Sequence, residues 1–149
     1  MKMMKKALVI GVTGALAIGL SFAAFAEGDV GTEISTAHTH AVYAKQATSV
    51  AVSHVHLHHV INCLVGPKGT GFDAKQADPC KGQGNGALPD SAGDAALHSK
   101  LETALSEAQT GLKANDLATV HSDANKVAST LMSADPAGKP KASKDKSSW

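Results

Sequence analysis

The sequence has no arginine and few aromatic side chains. All 14 of its basic residues are lysines, and the formal net charge is +1. Proteins that recognise phosphate or carboxylate through paired hydrogen bonds usually do so with the planar guanidinium group of arginine. Because that group is missing and there is no large basic excess, a nucleic-acid partner is not expected. The aromatic fraction of 3%, together with the many alanines, predicts a thin core between closely packed helices.

The sequence also lacks an apolar run that would comfortably span a membrane. Its longest run, residues 7–20, is shorter than the about 20 residues that a span needs. Lysines precede this run and Ala24-Phe25-Ala26 follows it. Positive charge, an apolar stretch and small residues spaced A-x-A are typical of a secretory signal peptide. We therefore expect residues 1–26 to be removed on export, leaving a periplasmic or secreted protein with no membrane attachment. A retained N-terminal anchor is the alternative.

Glycine and proline are missing from residues 32–62 but frequent in residues 63–93. The first block is compatible with one long helix, and the second predicts a long irregular loop. Within the first block, residues 49–60 alternate and are rich in valine, which also suits a strand. A strand would place three histidines on one face: His54, His56 and His58. We favour the helix, because the preceding residues are rich in alanine and an isolated strand has nothing to pair with.

Residues 94–133 contain two segments in which apolar side chains recur at helical spacing. Asn115 or Asp116 can cap the second of these helices, and the short connection between them predicts an antiparallel pair. We therefore predict an all-α domain over residues 27–134. It would be a small antiparallel bundle of three helices, or of four if a short helix lies in the loop. The polar, basic residues 135–149 are predicted to form a disordered tail.

Cysteine is scarce, with two residues in the whole chain, Cys63 and Cys80. In an exported protein an isolated pair predicts a disulfide. The bond would close the glycine-rich loop, and a domain with a thin core would gain stability from it. The alternative is that the two thiolates bind a metal ion, which an oxidising compartment disfavours.

Histidine, in contrast, is abundant: six of the eight histidines fall within residues 38–59. On a helix His54 and His58 lie one turn apart, a spacing that lets two rings bind one metal ion. Their stripe of the helix is apolar and therefore predicted to face the interior. If the first helix runs antiparallel to the next, His98 reaches the same height. We therefore predict a metal site formed by His54, His58 and His98.

Further ligand candidates are His40, His121 and His56. His40 shares the stripe of His54 and His58, and with His121 it could form a second, weaker site. On a helix His56 points away from His54 and His58, towards the solvent face, so that it would ligate beside them only on a strand. The competing interpretation is that each histidine beside an apolar stripe is a core-edge residue with a satisfied hydrogen bond.

The groups that mark other metal sites are missing. No acidic residue lies between Glu33 and Asp73, which argues against a carboxylate-rich di-iron site. Met132 is the single methionine after residue 26, which argues against methionine-rich Cu(I) binding. Nitrogen ligands leave copper, zinc or nickel. We therefore predict a non-enzymatic, exported, histidine-rich protein that buffers, scavenges or carries such a divalent transition metal.

Two alternatives to this prediction stay open. One is a helical protein that binds haem through two histidines for electron transfer, although the chain has no Cys-x-x-Cys-His motif for covalent attachment. The other is a metal-free interaction module that uses the disulfide-stapled loop. The sequence does not indicate which protein such a module would bind.

Overall fold

The computed structural model describes residues 28–136, and its regular structure in this range is entirely helical. Five helices hold 66% of these residues, and no strand occurs among them. The all-α prediction is confirmed, and the strand alternative for residues 49–60 is wrong. The predicted signal peptide, residues 1–26, lies outside the described residues, as do residues 137–149 of the predicted tail. The helices are α1 Val30–Gln46, α2 Val50–Val65, α3 Ala87–Asp90, α4 Ala95–Gly111 and α5 Leu117–Ala134.

The prediction of one long first helix is wrong, because the chain reverses between α1 and α2. The predicted count of three or four helices is wrong for the same reason, since residues 28–136 form five. Ala47 and Ser49 both have extended backbone conformations, and the Ser49 side chain accepts a hydrogen bond from the Val52 amide. A serine at this position satisfies one of the free amides that begin a helix, so it can start α2 without glycine or proline before it. The Ser53 hydroxyl then donates to the Ala44 carbonyl oxygen at 2.7 Å, which ties the two helices together just beyond the turn.

The second antiparallel pair, α4 and α5, was expected from the sequence. Asp94 caps α4 by accepting hydrogen bonds from two amides of its first turn, and Asp116 caps α5 by accepting from the Thr119 amide at 2.9 Å. Lys100, near the start of α4, donates to the Ser133 carbonyl oxygen near the end of α5 at 2.9 Å. This contact shows that the two helices run in opposite directions.

The four longer helices share one core of small and medium-sized side chains. Helix α1 packs against α2 and α5, and α4 packs against α5 and α2. Alanines at many of the contacts let the helix backbones approach closely. No helix between residues 28 and 136 combines the length and hydrophobicity that a transmembrane span requires. The fully buried core residues include Ile34, Ala37, Ala41, Ala44, Leu57, Val60, Leu64, Leu101, Ala104, Ala108, Val120, Ala124, Val127 and Leu131.

The segment between α2 and α4 is held by covalent and polar contacts. The predicted disulfide between Cys63 and Cys80 is confirmed, with the two Cα atoms 5.1 Å apart and both residues buried. The buried Asn62 side chain accepts from the Asp73 amide at 2.8 Å and donates to two carbonyl oxygens of the same segment. The predicted loop over residues 63–93 is shorter than expected, since α2 continues to Val65 and α3 lies within it.

A buried carboxyl group joins α1 to the same segment. Glu33 is fully buried, and its Oε1 atom accepts a hydrogen bond from the Gly86 amide at 2.8 Å. Burial is the main cause that raises the pKa of Glu33 to about 7, and the neighbouring Asp90 carboxylate raises it further. Near neutral pH this carboxyl group is therefore partly protonated.

Candidate metal site

The chain reversal between α1 and α2 brings together histidines that are distant in sequence. His40 precedes the turn by as many residues as His56 follows it, so the two lie side by side on the paired helices. His59 lies one helical turn beyond His56 on the same side of α2. On one straight helix His40 and His56 would be about 24 Å apart. We call His40, His56 and His59 the histidine cluster.

The nitrogen atoms of the histidine cluster converge on one point. Nδ1 of His40 lies 3.3 Å from Nδ1 of His56 and 3.2 Å from Nδ1 of His59. One ligand atom from each of the three rings lies within 4.8 Å of the others. Among the histidine, cysteine and acidic side chains of residues 28–136, this is the one group of three or more that is close enough to hold a metal ion.

Mutual hydrogen bonds would give the three Nδ1 atoms of the cluster unequal roles. In a neutral imidazole, Nδ1 carries either one proton or one lone pair, yet Nδ1 of His40 faces two other Nδ1 atoms. A cation placed between the rings would accept a lone pair from each of them. The arrangement is therefore compatible with a metal ion bound between the rings.

The local environment favours the neutral form of these rings. Burial, followed by the neighbouring rings of His59 and His56, lowers the pKa of His40 to about 4. Burial is also the first cause that lowers the pKa values of His56 and His59. Neutral imidazole is the form that binds transition metals.

The histidine cluster lies at the surface of the α1–α2 pair. All three histidines are partly exposed. The ring of Tyr43, which is 48% exposed, lies 5.6 Å from the His40 ring and 5.4 Å from the His56 ring, measured between centroids. The sequence interpretation placed the predicted site in the interior. In the structure, the interior between the helices is filled by aliphatic side chains such as Leu57.

The structure does not bring His54, His58 and His98 together in this group. His58 Nδ1 faces the Asp73 carboxylate at 3.5 Å. Three predicted ligands bond to carbonyl oxygens: His54 Nε2 to Ala114 O at 3.1 Å, His98 Nδ1 to Leu88 O at 3.1 Å and His121 Nε2 to Ala47 O at 2.8 Å. A neutral imidazole that donates from one nitrogen to a carbonyl oxygen keeps a lone pair on the other nitrogen, so such a bond does not by itself exclude a metal ligand. The histidines outside the cluster are set apart because, within residues 28–136, they do not belong to a group of three ligand atoms that lie close together.

Of the six histidines predicted as ligands, His40 and His56 are in the cluster, and the sequence interpretation did not include His59. The face assignment assumed a straight helix through residues 32–62, which put His56 on the opposite side from His40. Two signals could have found the cluster. His56 and His59 have a spacing that places them one turn apart on a helix, and a serine cap at Ser49 folds His40 back onto them.

No protein-family model, curated protein or solved structure matches this chain.

Proposed function

We propose that this protein is an exported metal-binding protein that holds one divalent transition-metal ion through His40, His56 and His59. The observation that carries the proposal is the convergence of three ring nitrogens within 4.8 Å of one another. The protein would act as a buffer, scavenger or carrier, without catalysing a reaction.

The chemistry of the donors supports a transition metal. Imidazole nitrogen suits zinc, copper and nickel, whereas calcium and magnesium prefer oxygen. No carboxylate belongs to the group of ligands found within residues 28–136. The acid-free stretch between Glu33 and Asp73 contains all three ligands. The protein would therefore hold the proposed ion through nitrogen ligands alone.

Two features support export. A disulfide between Cys63 and Cys80 persists in an oxidising compartment and is rare in the cytosol. The first 26 residues have the order of charge, apolar run and small residues that a secretory signal peptide has. A histidine-rich protein in such a compartment would meet metal ions before they enter the cell.

The proposal is tested by measuring Zn(II) affinity in competition with a chromophoric chelator. The purified protein, without a histidine tag, is compared with two variants of the same helix, His56→Ala and His54→Ala. Loss of a residue that only supports a metal ligand weakens metal binding by about 10- to 100-fold. Loss of a ligand itself should weaken binding at least as much. We expect that loss for His56→Ala and none for His54→Ala, because His54 does not belong to the group whose ligand atoms lie within 4.8 Å of one another.

The matched control makes the test specific. Both variants remove one partly exposed histidine of α2, so a general effect of histidine content would weaken both alike. Equal losses in the two variants, or no measurable binding by the unmodified protein, would contradict the proposal. Helix content by circular dichroism checks that each variant is folded.

A further inference from the structure

We infer that the histidine cluster forms an open metal site. Its three nitrogens would occupy three corners of a tetrahedron, and the fourth corner would take an exchangeable ligand from solution. That ligand would be a single nitrogen or anionic donor, such as a free imidazole, a histidine side chain of a metal-receiving protein, or azide as a laboratory probe. The inference rests on the proposed function and adds to it how the ion enters and leaves.

The spacing of the nitrogens supports a tetrahedral ion. With metal–nitrogen distances of about 2.0–2.1 Å, the edge of a tetrahedron is about 3.3–3.4 Å, whereas neighbouring ligands of a square plane are about 2.8–3.0 Å apart. The two Nδ1–Nδ1 distances from His40 are 3.3 Å and 3.2 Å. Both are close to the tetrahedral edge. The remaining pair of ligand atoms, from His56 and His59, lies within 4.8 Å, so two of the three edges match those of a tetrahedral ion such as Zn(II).

The fourth corner has no histidine, cysteine or carboxylate ligand among residues 28–136. Both cysteines are joined in the disulfide. The neighbouring histidines of α2 face other groups: His54 bonds to Ala114 O, and His58 faces Asp73. Structural zinc sites usually have four protein ligands, while sites with three keep a position open for water or another molecule.

The surroundings of the cluster give such a ligand access. Its three rings are partly exposed. On α2, Val52 and Val55 lie within one turn of His56 and are 45% and 38% exposed. Tyr43 lies against two of the rings, which makes its phenol oxygen the internal group that could compete for the fourth corner. An accessible fourth corner would let the ion pass from this protein to a histidine donor of another.

The test uses Co(II), which reports its coordination through visible absorption bands, followed by titration with azide. The whole exported chain is loaded with one equivalent of Co(II), and the same titration is made on Tyr43→Phe, which keeps the ring but removes the phenol oxygen. We expect azide to shift the bands in a saturable manner, equally in both proteins, while Co(II) stays bound in equilibrium dialysis.

Each other outcome has one meaning. If azide leaves the bands of the unmodified protein unchanged, the open site is overturned. If azide then shifts the bands of Tyr43→Phe, the phenol oxygen is identified as the fourth ligand. Release of Co(II) by azide overturns the open site as well, because no complex with both ligands forms. If the protein does not bind Co(II) at all, the proposed function fails instead. Loss of Co(II) binding in His56→Ala, with His54→Ala unchanged, confirms that the bands come from the cluster.

Discussion

The two helix pairs, α1–α2 and α4–α5, are built alike and use their histidines differently. Each pair is antiparallel and lined with alanines. In α1–α2, three ring nitrogens converge on one another. In α4–α5, His98 and His121 each donate to a backbone carbonyl oxygen of another part of the chain. The two pairs therefore differ in whether three ligand atoms lie within 4.8 Å of one another, which among residues 28–136 is true of the cluster in α1–α2 alone.

The pairs also differ in charge. No acidic residue lies between Glu33 and Asp73, and no carboxylate belongs to the ligand group found within residues 28–136. Helix α5, in contrast, has an ion pair in which Lys126 Nζ lies 2.7 Å from the Asp123 carboxylate. A positive ion at the histidine cluster therefore meets imidazole nitrogens, whereas the α4–α5 pair also has carboxylates, such as that of Asp123.

Removing two histidines from each helix pair tests whether only α1–α2 binds the metal ion. The double variant His40→Ala/His59→Ala loses two of the three proposed ligands, and we expect Zn(II) affinity to fall by more than about 100-fold. The double variant His98→Ala/His121→Ala should bind Zn(II) as the unmodified protein does. Competition with a chromophoric chelator measures both. Comparable losses would mean that the two helix pairs do not differ as described.

The disulfide is expected to stabilise the side of the protein formed by α1 and α2. Cys63 lies in the last turn of α2, and the Cys80 sulfur contacts the Glu33 carbonyl oxygen of α1. Replacing both cysteines with alanine should lower the free energy of unfolding by about 3 kcal/mol, since the unfolded chain regains the freedom of the closed loop. Urea denaturation followed by circular dichroism tests this. An unchanged midpoint would show that buried polar contacts such as those of Asn62 hold the segment by themselves.

Glu33 should make the stability of the protein depend on pH. Its pKa is raised from 4.5 to about 7 in the folded state, so the folded protein binds a proton more tightly than the unfolded chain does. The contribution of Glu33 to the free energy of unfolding is therefore fully present below the pKa that it has in the unfolded chain. This contribution is lost as pH rises through the pKa that Glu33 has in the folded protein. Glu33→Gln should be more stable than the unmodified protein at about pH 8, by up to about 3 kcal/mol, and should lose this advantage in acid.

Denaturation midpoints across this pH range test the effect of Glu33. Glu102→Gln is a control for removing one glutamate charge from an exposed position of α4, where Glu102 lies 3.7 Å from His98 Nε2. A Glu33→Gln profile parallel to that of the unmodified protein would contradict the assignment of the raised pKa.

The smallest expected effect separates structural histidines from ligands in metal-free protein. His121→Ala should cost about 0.5–1.5 kcal/mol, because the hydrogen bond to the Ala47 carbonyl oxygen is lost. His56→Ala should change stability by no more than about 0.5 kcal/mol, since its ring bonds no backbone group and is partly exposed. Thermal unfolding with a chelator present measures both. A larger loss for His56→Ala would show that the cluster stabilises the fold without metal.

Much of the fold could be read from local patterns. The apolar spacing in residues 94–133 and the cap at Asp116 predicted α4 and α5, and the structure has both. The pairing of Cys63 with Cys80 needed only the count of cysteines. The first block was harder. Ser49 can cap a helix, but it is one of several small polar residues there, so its presence alone did not predict where the chain reverses.

Residue types and short spacings are enough to predict that the protein is helical, that one disulfide closes its middle segment, and that nitrogen donors are concentrated in one region. These properties depend on residue types and on spacings of a few residues, which fix helical faces directly. The tertiary structure alone decided which histidines meet. His40 and His56 come together because the chain reverses at Ser49 and the two helices pack through Ala44 and Ser53. Helical periodicity holds only within one helix, so the contact between two helices is set by the turn and the packing between them.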